Sequence, residues 1–223
     1  ASTLLRLLLV QVFSIPSRSM ESTLNVGDRV AVQKVQPFQR GDVVVFRDDL
    51  EWLGNPDRFS NEPWQDVLVF IGLMPDASSN HLIKRVIGVE GDRVVCCDAD
   101  DRITVNGVAL DESAYLYRDP SGHQDAPSQF SFDVTVPEDR IFVLGDHRSA
   151  SADSRCHLSE KVLGVDHLGG FPSTSSVVGA SAFTLFPFDR WRGFAVPATF
   201  ESVPSASGPP PGVPVLVGDA PAC

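Results

Sequence analysis

No run of about 20 apolar residues occurs anywhere in the chain, so the sequence as it stands holds no complete membrane span. Basic residues are scarce: 18 Lys and Arg stand against 29 Asp and Glu, a formal net charge of −11. A nucleic-acid binder needs a basic face to neutralise phosphates, and this balance argues against nucleic acid as a partner. Cysteine is limited to Cys96, Cys97, Cys156 and Cys223, at spacings that match no common zinc site. The five His, at 81, 123, 147, 157 and 167, show no metal-ligand spacing either, so no metal and no cofactor is expected. Internal repeats and heptads are missing, and very little of the chain reads as helix.

What is present is ordinary for a folded chain: 43% hydrophobic and 21% charged residues over 223 positions, enough for one or two domains. Seventeen Gly and seventeen Pro favour turns and a β-rich fold. Period-two segments run through 28–35, 41–46, 81–89, 92–97, 102–105, 138–146 and 176–186, separated by Gly, Asp, Asn or Pro. That pattern predicts a mainly β protein built of antiparallel sheets. Asn106-Gly107 between ITV and VAL suits a type I′ hairpin.

Three segments stand apart from the strands. Residues 3–13, TLLRLLLVQVF, are apolar except for Arg6 and Gln11, too short to span a bilayer and not followed by a small-residue cleavage site. They read either as a short helix or first strand on the core, or as the trailing end of an anchor helix. Residues 47–80 form an insertion with Trp52, Trp64 and the stretch WQDVLVFIGLM, either a helix covering a sheet edge or an apolar patch on a bilayer surface. The tail from Val203 is rich in Pro, Gly and Ser and is expected to be disordered.

Three clusters carry chemistry. In FSIPSRSMESTL, Pro16 holds Ile15 extended, and Ser17 and Ser19 then point to one side of the chain. Paired hydroxyls can supply attack and oxyanion stabilisation, although Ser-x-Ser by itself is common in loops. In HLIKRVIGVEGDRV, Leu82, Lys84 and Val86 share one strand face and Ile83, Arg85 and Ile87 the other, so one cation sits among apolar neighbours. Desolvation lowers a lysine's pKa and can make it a neutral base; the alternative is a lysine that snorkels from a sheet edge. In GDHRSASADSRCH, Asp153 and Arg155 are close enough to pair, and Ser151 and Ser154 offer hydroxyls, in a turn that is either solvated or a support for a catalytic pair.

In order, IPSRSMESTL, RGDVVVF, IKRVIGVEGDRV and LGDHRSASADSR resemble the boxes of the bacterial type I signal peptidases (leader peptidases), with a looser match in VVGASAFTLFPFDRWRGF. Each box alone is unspecific; their joint order over roughly residues 10–195 is specific. The resemblance implies a membrane-anchored serine endopeptidase with a Ser–Lys dyad, its catalytic domain on the extracytoplasmic face of the plasma membrane. Its partners would be signal-peptide-bearing preproteins and the lipid bilayer. Ser19 aligns with the nucleophile, Lys84 with the general base and Ser17 with the oxyanion-hole hydroxyl. Ser151 aligns with a serine that orients the lysine, Asp153 and Arg155 with a structural ion pair, and Ile15 and Ile83 with the lining of the small substrate pockets. Departures are Arg18 for a frequent Gly, Ser22 for a frequent Pro and His147 for a frequent Asn.

The organisation implied is an anchor remnant at 1–13, a catalytic β-domain at 14–97 and 138–202 carrying the insertion, a β-hairpin subdomain at 98–137, and the tail at 203–223. An exported domain would keep disulfides. Because Cys96 and Cys97 face opposite ways on a strand, only one is expected to reach Cys156, and either neighbour could remain a buried thiol. His147 and His157 read as polar structure. Two alternatives compete: a self-cleaving Ser–Lys repressor-type peptidase domain, and a non-catalytic secreted β binding domain, for which Ser19 and Lys84 would lie far apart and exposed.

Overall fold

A computed structural model of the protein describes residues 10–54, 80–221 and 223. Its strands are β1 (Val10–Ser14), β2 (Arg29–Gln33), β3 (Val43–Arg47), β4 (His81–Val89), β5 (Arg93–Cys96), β6 (Thr104–Val105), β7 (Val108–Ala109), β8 (Phe132–Thr135), β9 (Ile141–Leu144), β10 (Val177–Phe186) and β11 (Val215–Leu216). They form a six-stranded sheet, β1-β2-β10-β3-β4-β9, and a five-stranded sheet, β11-β8-β5-β6-β7. Every pairing within both sheets is antiparallel, and the remaining helical turns among the described residues are short 3₁₀ segments.

β4 is the central element of the chemistry-bearing sheet. Its nine residues alternate as the sequence predicts, and six of them, Ile83 to Gly88, are buried. The Val86 and Gly88 stretch is irregular against β9, where a Cβ on Gly88 would stand 2.8 Å from Val94 Cγ2. The hairpin at Asn106-Gly107 also forms as expected, with both residues at positive φ (52° and 83°). One apolar core, including Ile87, Val94, Phe132, Phe142, Leu144 and Phe171, joins strands of both sheets. A second gathers Ile15, Met20, Leu24, Val30, Val32, Val43, Val45 and Ile83 beneath the Ser17–Ser19 turn.

Several expectations are corrected. Val10–Phe13, expected at the end of an anchor helix, is strand: β1 pairs with β2 from Val10 opposite Gln33 to Ser14 opposite Arg29. The β-branched residues suit a strand, and β2 offers an open edge for them to pair with. Residues 1–9 of that segment lie outside the described residues. So does WQDVLVFIGLM; of the insertion's aromatics, Trp52 donates to Gly169 O at 2.8 Å and stacks on His157. Arg93–Cys96 belongs to the second sheet by pairing with β6 and β8, so that sheet begins before residue 98.

The tail is not disordered. Val203 is buried in the core, Pro211 O accepts from Glu138 N–H at 2.9 Å, and β11 adds to the edge of β8. Proline punctuates this segment without unfolding it, because backbone pairing and burial of Val203 and Ala220 hold it. Neither adjacent cysteine reaches Cys156. Cys96 and Cys97 are bonded to each other, and Cys156 is bonded to Cys223, with Cα atoms 5.0 Å apart. The alternation argument fails because the strand ends at Cys96, and because the ordered tail delivers its own cysteine to Cys156. Closing 67 residues of chain removes unfolded-state entropy, so Cys223→Ser is expected to lower stability by about 2–4 kcal/mol. Chemical denaturation with and without reductant checks this; an unchanged midpoint would show that the crosslink adds nothing.

Candidate active site

The turn after β1 carries Ser17 and Ser19. Ile15 N–H donates to Asp28 O and Gly27 N–H to Ile15 O, both at 2.9 Å, which pins the chain ahead of the serines. Met20, fully buried, anchors it behind them. Ser17 is exposed, Ser19 is 6% exposed, and their Oγ atoms lie 3.3 Å apart; the two hydroxyls meet across a bend and turn, not along the extended backbone that the sequence suggested.

Lys84 enters from the middle of β4 and is 3% exposed. Its Nζ donates to Ser19 Oγ at 2.8 Å and to Ile83 O at 3.1 Å. Burial pulls its pKa from 10.5 down to about 8, because the charged form loses water, while Asp153 and Asp146 pull the other way. Asp153 is held by Arg155 (2.8 and 2.9 Å) and Asp146 by Arg85 (2.8 and 2.6 Å), so each carboxylate is shared with a guanidinium. Burial opposes ionisation of Asp153, yet Arg155 and the Gly145 N–H bring its pKa below the ordinary value.

Arg85 points away from the dyad, as strand alternation requires, and is buried against Asp146, Gly41 O and the ring of Tyr115. Ser151 does not bond Lys84: its Oγ is buried and makes no hydrogen bond among the described residues. Ile15, just past the end of β1, and Ile83 of β4 meet in the apolar cluster beneath the Ser17–Ser19 turn. His147 and His157 are structural in their contacts: His147 Nδ1 lies 2.9 Å from Glu21 and its ring stacks on Tyr117, while His157 pairs with Glu160 and stacks on Trp52.

Several residues were not legible in the sequence. Thr23 donates to the same Asp146 that Arg85 binds. A Cβ on Gly145 would stand 2.4 Å from Ser19 O and 2.3 Å from Ser151 Oγ, so only glycine lets the turn after β9 close on the serine turn. Glu112 and Arg148 form a buried pair behind that turn. Only Gly145, in a Gly-Asp turn after a strand, left a trace that local reading could have used.

A desolvated lysine in hydrogen-bond contact with a serine hydroxyl, with a second hydroxyl beside it on an antiparallel β scaffold, is an arrangement that can carry hydroxyl attack with an amine as base. Residues 1–186 match the family model described as signal peptidase, peptidase S26, and the chain belongs to that family. It is similar to signal peptidase I of Mycobacterium tuberculosis strain H37Rv, 39% identical over 197 residues, covering 80% of this chain and 66% of that protein. It is 37% identical to a probable signal peptidase I of Mycobacterium leprae strain TN, covering 81% and 70%. Signal peptidase I of Bacillus licheniformis is 29% identical over 85% of this chain and 83% of its own. The chain thus spans about two thirds of the length of the mycobacterial relatives. Family membership displaces the repressor-type alternative, and the 2.8 Å contact between buried groups is the reverse of what a non-catalytic binding domain requires.

Proposed function

We propose that this protein is a membrane-associated serine endopeptidase that removes N-terminal signal peptides from exported preproteins. The observation that carries the reading is the 2.8 Å contact between Lys84 Nζ and Ser19 Oγ, with the lysine pKa lowered to about 8. Neutral Lys84 takes the proton of Ser19 as Oγ attacks the scissile carbonyl. The Ser17 hydroxyl, 3.3 Å from the attacking oxygen, turns its hydrogen to the oxyanion. The resulting ammonium hands its proton to the leaving amine, and the same lysine, neutral again, activates water against the acyl-enzyme. Ile15 and Ile83 would line shallow pockets for small alternate side chains of an extended substrate. Asp153, Arg155 and Ser151 support the lysine from behind, through charge and packing and not through a direct bond.

The membrane and its outer face enter from the family's anchored character and from an exposed aromatic segment. Phe186, Phe188 and Trp191 are 46%, 77% and 65% exposed. Arg190 pairs with Asp28 and Arg192 donates to the carbonyls of Ser22 and Thr23, so this segment is tied to the serine turn itself. Aromatic side chains there would rest in the headgroup region beside the site. Among the described residues no helix is long and apolar enough to cross a membrane.

The test is cleavage of a preprotein in phospholipid vesicles, with the new N-terminus read by mass spectrometry. A single cut after a small-x-small sequence is expected; intact preprotein, or scattered cuts, would overturn the reading. Vesicles are expected to raise turnover, and Phe188→Ser with Trp191→Ser to remove most of that stimulation while leaving cleavage of a short soluble peptide unchanged. Equal stimulation in the double variant would detach the aromatic segment from the bilayer.

A further inference from the structure

Arg148 and Glu112 carry charge at side-chain exposures of 0% and 2%, yet neither has a part in the proton transfers above. Burying such a pair is costly unless its geometry and hydrogen bonds are complete. Here they are. Arg148 Nη2 donates to Glu112 Oε1 and Nη1 to Pro127 O, each at 2.5 Å, and Tyr115 OH donates to Glu112 Oε1 at 2.7 Å. The remaining guanidinium donor, Nε, reaches Gly145 O at 2.9 Å.

That last bond leads to the site. Gly145 N–H donates to Asp153 Oδ2 at 3.0 Å, and the Cα of Gly145 packs so closely on Ser19 O and Ser151 that no Cβ fits. Two residues on, His147 N–H donates to Ser19 O at 3.0 Å. Arg148 O in turn accepts from Arg155, the partner of Asp153. Tyr117, on the same loop as Glu112, donates its N–H to Asp146 O at 3.0 Å and stacks on His147. The loop after β7 therefore grips residues 145–148 at several points, and those residues hold the serine turn.

We infer that Glu112 is a positioning residue: through Arg148 it holds the Gly145–His147 turn, and with it Ser19, in register with Lys84. The inference rests on the Ser–Lys reading and assigns the second sheet a share in catalysis. Its electrostatic consequence has a sign. Arg148 faces Glu112, Tyr115 and Asp146; Lys84 faces Asp153 and Asp146; those carboxylates face Arg155 and Arg85. Removing the charge of Glu112 leaves Arg148 drawn to Asp146, which then supports the lysine ammonium less.

Glu112→Gln is expected to lower kcat about 10- to 100-fold with KM within about twofold, as for loss of a group that orients a catalytic side chain. The rising limb of kcat/KM against pH should move to lower pH. Glu112→Asp, which keeps the charge, should leave the limb in place. Wild-type kcat in Glu112→Gln overturns the inference, and so does an unmoved limb with equal damage in both variants, the mark of a merely structural residue. If Glu112→Gln does not fold, Arg148→Lys decides. It keeps the charge facing Glu112 but gives up the bonds to Gly145 O and Pro127 O, so at least tenfold loss of kcat is expected, and wild-type kcat overturns the inference. Ser19→Ala is assayed in parallel. An active Ser19→Ala would remove the dyad reading itself, whereas an inert Ser19→Ala beside a fully active Glu112→Gln would remove only the role of Glu112.

Discussion

Replacing Lys84 by Ala or Arg is expected to abolish preprotein cleavage. A hydroxyl attack needs a base that is neutral at working pH. With its ordinary pKa of 10.5, a lysine is neutral in only about one molecule in three thousand at pH 7; at about 8 the fraction is roughly a tenth. Activity of the wild-type protein should therefore rise with pH to a plateau somewhat above pH 8. Arginine cannot substitute, because guanidinium keeps its proton throughout this range. Among the described residues the hydrogen-bond partners of Ser19 Oγ are Ser17 and Lys84, with no imidazole among them. Full activity in Lys84→Ala would end the assignment, and an inert His81→Ala beside that active variant would transfer the base role to histidine.

The same desolvation predicts the stability of an inert variant. The folded-state pKa lies below the unfolded value, so between about pH 8 and 10.5 the unfolded chain binds more protons, and stability rises with pH across that window. Below pH 8 the folded protein carries the whole cost of a buried ammonium, and Lys84→Met should be more stable than wild type by about 1–3 kcal/mol at pH 6. Thermal unfolding at pH 6 and pH 10 would read this directly. A less stable Lys84→Met at pH 6 would mean that the lysine's two hydrogen bonds outweigh its desolvation.

Ser19→Ala is expected to lose all turnover while keeping the fold, since the side chain is small and its contacts are the hydroxyls and Lys84. Ser17→Ala should fall by about 10²–10³, the usual effect of one lost oxyanion donor, and Ser17→Thr by much less because it keeps the hydroxyl. The contrast between the two serines is the informative quantity. Equal loss in Ser17→Ala and Ser17→Thr would assign Ser17 to packing, and near-normal turnover in Ser19→Ala would remove the nucleophile altogether.

The strands were legible where the backbone's own geometry writes a pattern. The alternation of HLIKRVIGV spans β4 from end to end, and Asn106-Gly107 announces a turn because both residues tolerate positive φ. β8 and β11 were not read. Their residues, FDVT and VL, are too few to show a period, and they are strands because neighbours pair with them. The tail shows the same limit from the other side. Its Pro and Gly content signals low propensity, but order there comes from Val203 in the core, Ala220 packed against it, and the bond between Cys156 and Cys223.

What the amino-acid sequence by itself determined is the antiparallel β class, the candidates Ser17, Ser19 and Lys84, and the opposite facing of Lys84 and Arg85. All of these follow from composition or from dihedral and pleat geometry that act within a few residues. The tertiary structure alone decided that Ser19 and Lys84, 65 positions apart, stand 2.8 Å from each other in a desolvated setting. It alone decided which cysteines pair and that Glu112 grips Arg148 across 36 positions. Contacts of that span depend on how loops close and on which surfaces are removed from water, and no local period in the chain records either.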